Sequence, residues 1–439
     1  MSQAPRISLL FALMALLITL VGQLQSWSVA LSILNLCLIS AIMALGVNMQ
    51  WGYAGLFNVG IMGFAALGGL AGVLVSKAPV PEAWAAGGFD LGLAALVLAV
   101  TIAVIVVIRR GLPANRWRTA LVSAVVIAGL IVYRWFFDPA VAAIESTDPS
   151  RTGYLGGLNL PILLAWPLGA VLAAGAAWMV GKVSLGLRSD YLAIATLGIA
   201  EIIIAVLKNE DWLARGVKNV TGLPRPVPYE TDLYGAPWFI DLSTRYGLDP
   251  VQAASLAVKL SYAVLFTLVL IVVFVLAQRA LNSPWGRMMR AIRDNVDAAH
   301  AMGKDVTHRH LQIFIVGSAV VGLAGAMLTT LDGQFTPTTY QPLRYTFLIW
   351  VMVIVGGSGN NWGSVLGGFL IWFIWIEAEP VGLWLIQQIS SGMAPDSLVR
   401  AHLLESAPHM RMIFMGLLLL LVMRFSPRGL IPEQTASRS

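Results

Sequence analysis

The chain has 439 residues, of which 58% are hydrophobic and only 11% charged. A soluble domain carries roughly 25% charged residues, so this chain lacks the polar surface for a water-soluble fold and its solvent is lipid. The formal charge of +6 arises from 28 Lys+Arg against 22 Asp+Glu; basic loops of a membrane protein account for it without a nucleic-acid partner. A single cysteine, Cys37, excludes an intramolecular disulfide and a cysteine-based zinc cluster.

About 20 apolar residues cross a bilayer core, and unpaired backbone groups cannot be left in lipid, so long apolar runs there must be helical. Windows of that kind fall at roughly 7–24, 29–48, 60–76, 90–108, 118–137, 160–181, 190–207, 259–277, 311–331, 345–357, 364–388 and 410–424. They predict one all-α domain over 1–439, a polytopic transmembrane helical bundle of about 10–12 spans. The windows at 60–76 and 345–357 are short and glycine-rich, which suits re-entrant or broken helices. No small-x-small cleavage site precedes a polar segment after 7–24, so that run reads as a span and not as a cleaved signal.

Charge bias orients the stack. With 278–310 in the cytoplasm, alternation brings to the same side Arg6, the run Arg109 to Arg118, Lys182, Arg188, Arg424, Arg428 and Arg438, and both termini. Acidic residues gather on the opposite side. There, 208–258 forms a long outer loop with Pro224, Pro226, Pro228, Trp212 and Trp238, expected to pack as a cap with short helices near 210–218 and 249–257.

The most informative stretch is 283–303, SPWGRMMRAIRDNVDAAHAMG. Ser283 suits a helix N-cap, Pro284 a first turn and Gly303 a left-handed exit. Trp285, Met289, Ile292, Val296 and Ala299 repeat at helical spacing, predicting one amphipathic cytoplasmic helix of about five turns. Such a helix lies on lipid, packs under the spans or docks into a partner groove. Asp294 and Asp297 dilute the attraction of its arginines to anionic lipid, which favours the partner.

Asp297-Ala298-Ala299, followed at this distance by Gly303, resembles the EAA loop of ABC-importer permeases, with Asp for Glu and with Phe314-Ile315-Val316 where Leu-Pro would close the pattern. Further pieces resemble the permease of high-affinity branched-chain amino acid uptake systems, the LivM-like branch. They are Trp51-Gly52-Tyr53-Ala54-Gly55-Leu56 with Asn58 and Gly60, Arg188 to Gly198 with Glu201, Asn219-Val220-Thr221-Gly222, Ser283-Pro284-Trp285-Gly286-Arg287 through Gly303, Gly322-Leu323-Ala324-Gly325, Gly356-Gly357-Ser358-Gly359 and Arg424 to Leu430. Departures are Phe57-Asn58-Val59-Gly60, where the family often has a Ser-Leu-Gly-His-like run, a long outer loop after Thr221, and extra apolar sequence over 77–160.

The resemblance implies a permease subunit in a bacterial inner membrane. Its implied partners are a second related permease, two cytoplasmic ATPases and an extracytoplasmic solute-binding protein. ATP and Mg would be used by the ATPases, with no cofactor bound by this chain. Trp285, Arg287, Arg290, Asp297, Ala298, Ala299 and Gly303 are the implied coupling residues. A zwitterionic amino acid with an apolar side chain would pass near the glycine-rich spans, with Tyr53, Asn58, Thr196 and Glu201 as polar candidates along its path. Urea or a short amide as substrate, an ion-driven secondary carrier and, last, a membrane enzyme are the alternatives.

The chain has no G-x-x-x-x-G-K-[ST] loop; the glycine run at 356–363 lacks the phosphate-holding lysine, so it reads as close packing or a helix break. The five histidines, with His308-x-His310 before a span, do not form a metal pattern. Glu201 lies mid-span, where an ionised carboxylate costs a few kcal/mol. It therefore lines a wet path, joins an interface network, or is a protonated carboxyl bonded between helices. Glu377 and Glu379, near Pro380, read as parts of a kinked or interfacial stretch. Gly68-x-x-x-Gly72 and Gly363-x-x-x-Gly367 fit close helix packing.

Overall fold

The computed structural model describes residues 3–148, 152–393 and 397–433. The principal helices are α1 (Gln3–Leu24), α2 (Trp27–Ala54), α3 (Ile61–Ser76), α4 (Phe89–Gly111), α5 (Arg116–Ser146), α6 (Ala165–Ser184), α7 (Ser189–Asn209), α8 (Pro250–Asn282), α9 (Pro284–Asp294), α10 (Val296–Ala301), α11 (Val306–Asp332), α12 (Pro342–Gly356), α13 (Asn361–Ser390) and α14 (Met410–Phe425). Each of the twelve apolar windows falls on one of them. Among the described residues ten helices are long and apolar enough to cross a membrane, while α3 and α12 are shorter. The chain is thus a polytopic helical bundle, and the two windows read as short are the two short helices.

The core is formed by α2, α3, α6, α11, α12 and α13. Lipid gives helices no hydrophobic reason to associate, so contact depends on small residues that let backbones approach. Gly68 of α3 lies on Gly322 of α11, where a Cβ would come within 1.9 Å of the carbonyl oxygen. Gly367 of α13 meets the Met352 carbonyl of α12 at the same hypothetical distance. Both expected small-residue pairs therefore contribute a contact, each to a helix of the same chain. By contrast α4 and α5 pair mainly with each other and stand at the periphery. They are tied in at the ends, where Trp212 N donates to Glu145 Oε1 (3.2 Å) and the Trp212 ring meets Phe137 (5.7 Å).

Residues 208–258 do fold, but not as read. The helix expected near 210–218 is only Asp211–Ala214 and a tight turn over Gly216–Lys218, separated by Arg215 at φ 58°. The helix expected near 249–257 is the first part of α8: the Asp249 carboxylate accepts from Gln252 N at 3.1 Å and Pro250 occupies the first turn. Between them, β1 (Val220–Thr221) pairs antiparallel with β2 (Gln334–Phe335), Val220 opposite Phe335. Glu230–Tyr234 and Pro237–Arg245 are short helices packed on α8. This ribbon marks one face of the bundle. The opposite face carries α9 and α10, the last turn of α2, Asn360, residues 4–7 and residues 430–433.

Candidate coupling and translocation sites

Pro284 starts α9 as expected, but Ser283 does not cap it; its hydroxyl donates back to Ala280 O at 2.6 Å. The single helix expected over 283–303 is two. Asn295 is extended (φ −157°), ends α9, and its Oδ1 accepts from Ala298 N at 2.9 Å to open α10. This break removes Val296 from the expected stripe and leaves it exposed, while Met289, Ile292 and Ala299 remain buried. Gly303 (φ 74°) supplies the exit turn as read, with Lys304 N donating to Ala299 O at 3.1 Å. Trp285 ties α9 to α11 through Gln312 (3.1 Å). Arg287, Asp297 and Ala298 are exposed. The outcome is a small-residue surface with an open carboxylate, anchored from below by apolar side chains.

What fixes this segment to the bundle is Arg293, a residue that the sequence marks only as a basic loop charge. Its guanidinium contacts Asp294 (3.0 Å) and Glu433 (2.9 Å) and donates to the carbonyl of Gly52 in the last turn of α2. That carbonyl belongs to the negative end of a helix, where a cation is favoured. Burial works against the guanidinium charge, but Glu433 and Asp294 outweigh it and raise its pKa. Gly55 caps α2 at φ 70° beside the Arg293 stem, and Arg290 lies over the Tyr53 ring at 5.8 Å. The tail that presents Glu433 is itself bonded to α12, Leu430 N to Val355 O and Ile431 N to Gly356 O, each 2.8 Å. Asn360 Nδ2 adds a bond to Pro432 O (3.1 Å), and Gly359 N donates to Asn48 Oδ1 (2.8 Å). One arginine therefore joins α9 to α2 and to the tail, and the tail in turn is bonded to the end of α12 and to Asn360.

The four polar pathway candidates do not form one site. Tyr53 belongs to the Arg293 joint. Asn58 and Thr196 meet at the break between α2 and α3, where Thr196 Oγ1 accepts from Val59 N (3.0 Å) and Asn58 Oδ1 accepts from Gly60 N (2.9 Å). Asn58 Nδ2 donates to Gln50 Oε1 (2.9 Å), and Gln50 continues to Phe314 O and Ser318 Oγ. Trp350 Nε1 donates to Asn58 O at 3.1 Å, closing the break. Both side chains are thus committed to backbone groups that the surrounding apolar medium cannot satisfy.

Glu201 lies apart. It is exposed on α7 and lines an open groove of about 680 Å³ with Lys208, Gln341, Arg344, Phe347 and Met412. A carboxyl hydrogen-bonded between helices is not what the structure shows: among the described residues its side chain has no hydrogen-bond partner. Polar groups elsewhere do lock helices. Gln25 donates to Glu377 (2.7 Å), and Arg411, stacked over Trp375 at 4.8 Å, pairs with Glu379 (2.6 Å).

Residues 29–423 match the family model described as branched-chain amino acid transport system / permease component. The high-affinity branched-chain amino acid transport system permease protein LivM of Salmonella typhimurium is 27% identical over 274 residues, 61% of this chain and 56% of that protein. Its Escherichia coli counterpart is 26% identical over 271 residues, with the same coverage of 61% and 56%. The probable branched-chain amino acid transport permease protein LivM of Methanocaldococcus jannaschii is 26% identical over 281 residues, 64% of this chain and 70% of that protein. The chain thus spans about half the length of the two enterobacterial relatives (56%). No solved structure matches it. With most of its length on the family model, its glycine-packed helices and its broken spans, the chain belongs to the branched-chain amino acid transport permease family.

Proposed function

We propose that this chain is the membrane permease of an ATP-driven importer of branched-chain amino acids. The observation that carries the reading is the α9–α10 segment, whose outer surface is open while its inner surface is joined through Arg293 to the end of α2 and to the tail that is bonded to α12. A segment built only to connect two spans needs no such joint. In this reading the α9 face is cytoplasmic, with residues 4–7 and 430–433, and the ribbon face with 208–258 meets a solute-binding protein. Two ATPases, which hold ATP and Mg, engage Ala298, Asp297 and the Gly303 turn. Their closure moves α9, and Arg293 passes the displacement to α2 and to the α12–α13 turn.

A second permease covers the Glu201 groove. Charged side chains left against hydrocarbon cost a few kcal/mol each, and a related subunit, or the watery path between the two, removes that cost. An ion-driven carrier is the weaker reading, because Glu201 faces outward and, among the described residues, no carboxylate lines its groove with it.

The test is substrate-stimulated ATPase activity of the assembled complex with Asp297→Lys combined with Gly303→Pro. Loss of stimulation with intact assembly is expected. Undiminished stimulation would refute docking at this segment.

A further inference from the structure

The α4–α5 hairpin falls in the extra apolar sequence over 77–160 and stands outside the Arg293 joint. Its buried residues, Ala94 on α4 and Ala140 and Ile144 on α5, lie toward the end that Trp212 ties to the bundle. From 95 to 139 no residue is buried. The loop joining the two helices is therefore carried about 25 Å along α4 beyond Ala94, uncovered by the rest of the described chain.

That loop is a built turn. Leu112 N donates to Ile108 O at 3.1 Å as α4 ends, Asn115 Oδ1 accepts from Arg118 N at 2.8 Å as α5 begins, and Arg118 Nη1 donates to Leu112 O at 3.2 Å across it. Around it stand Arg109, Arg110, Arg116 and Arg118. Along the chain no acidic residue lies between Asp90 and Asp138, and Asp138 is taken by Arg134 at 2.8 Å. Among the described residues none of the four makes an ion pair, whereas Arg225, Arg293 and Arg411 each do. Arg109 and Arg110 occupy the last turn of α4, where open carbonyls favour a cation. Arg116 and Arg118 occupy the first turn of α5, which holds no acidic residue and whose open amides add to the positive charge. The turn gathers positive charge that the chain itself does not balance.

Its surroundings select what balances it. Trp117, between Arg116 and Arg118, is 82% exposed, and Val107 (68%), Leu112 and Leu121 are exposed within about a turn of the arginines. A soluble anion or a nucleic acid would answer the charge and leave these side chains in water. A phospholipid answers both: phosphate to guanidinium, acyl chain to Val107 and Leu121, with the Trp117 ring at the boundary between them. We propose that the tip of the α4–α5 hairpin is a binding site for anionic phospholipid headgroups, which collects such lipids ahead of zwitterionic ones. The inference holds whatever solute the chain carries and whatever drives it.

The full chain in nanodiscs of phosphatidylcholine doped with phosphatidylglycerol tests it, with a photo-crosslinking residue at one of two exposed positions of α5. Leu121→p-benzoylphenylalanine samples the lipid beside the turn, and Trp135→p-benzoylphenylalanine samples lipid toward the other end of the helix. Each arginine near an anionic surface is worth about a factor of five, so phosphatidylglycerol should be captured at 121 at roughly ten times its share of the disc or more, and at 135 at its share. Raising salt to about 1 M, where the Debye length is about 3 Å, should remove most of the enrichment without any substitution. Changing Arg109, Arg110, Arg116 and Arg118 together to glutamine should return capture at 121 to the bulk share and leave 135 unchanged, whereas changing them to lysine should keep most of the enrichment, a rescue that misfolding would not give. Capture at 121 in proportion to the bulk lipid, or enrichment that survives both salt and glutamine, would overturn the site. Displacement of phosphatidylglycerol by soluble glycerol 3-phosphate would overturn it in favour of a simple anion site, and crosslinking of position 121 to another protein of the complete complex would overturn it in favour of a protein dock.

Discussion

Replacing Glu433 with glutamine preserves the shape of the Arg293 joint and removes one of its charges. The side chains of Arg293 and Glu433 are 23% and 19% exposed, so water takes over only part of the lost interaction. A hydrogen bond to a charged group contributes about 1.5–3 kcal/mol when buried, and a fully exposed pair about 0–1 kcal/mol. The partial exposure places this pair near ~2 kcal/mol. Arg293 is not orphaned by the change, because Asp294 and the Gly52 carbonyl remain. Each 1.4 kcal/mol is a factor of about ten, so the tail-bonded arrangement loses roughly tenfold to thirtyfold in population relative to a loosened one. In proteoliposomes holding the complete importer, Glu433→Gln should raise the ATP hydrolysed per leucine carried while hydrolysis itself continues. Arg293→Lys should do the same, since a point charge cannot reproduce the fork that reaches Glu433 and Gly52 together. An unchanged ratio of ATP to leucine, with only a lowered midpoint of thermal unfolding, would refute transmission through this joint and reduce it to a structural tie.

Gly68→Leu drives a side chain into the Gly322 carbonyl and should abolish a monodisperse peak in size-exclusion chromatography, whereas Gly175→Leu, with nothing within 4 Å of its would-be Cβ, should run as wild type. Thr196→Val leaves Val59 N without its acceptor and should cost about 1–3 kcal/mol in thermal or denaturant unfolding, with Thr196→Ser restoring most of it.

The bundle was legible in the sequence because lipid leaves so few options. Any apolar run long enough to cross must be helical, and the two runs too short to cross, 60–76 and 345–357, became the two short helices. Arg6, Arg290 and Arg428, which the charge pattern put together, belong to segments that meet. The break at Asn295 was hidden because apolar spacing continues through it, and an asparagine in a polar face signals nothing until its side chain is seen capping Ala298. The side that Glu201 faces was hidden for a different reason. A spanning helix is apolar all round, so periodicity cannot tell a lipid face from a packed one.

The candidate site was half legible, and the division has a physical cause. Side chains within spans settle their hydrogen bonds locally, as Asn58 and Thr196 do, so a polar residue in an apolar run signals a helix break as readily as a substrate contact. Helix ends on the α9 face cannot settle theirs locally, because each ends with open carbonyls and amides. Those ends are where Trp51 to Leu56, Ser283 to Gly303, Gly356 to Gly359 and the stretch after Arg424 lie. Each looked like a separate motif, yet Arg293 bonds Gly52 and Glu433 while Leu430 and Ile431 bond the end of α12. The partners of Arg293 are 241 and 140 residues away along the chain, beyond the reach of any spacing rule. What the motifs share is therefore a place: they are the ends of helices that must move together if a force applied to α9 is to reach the spans.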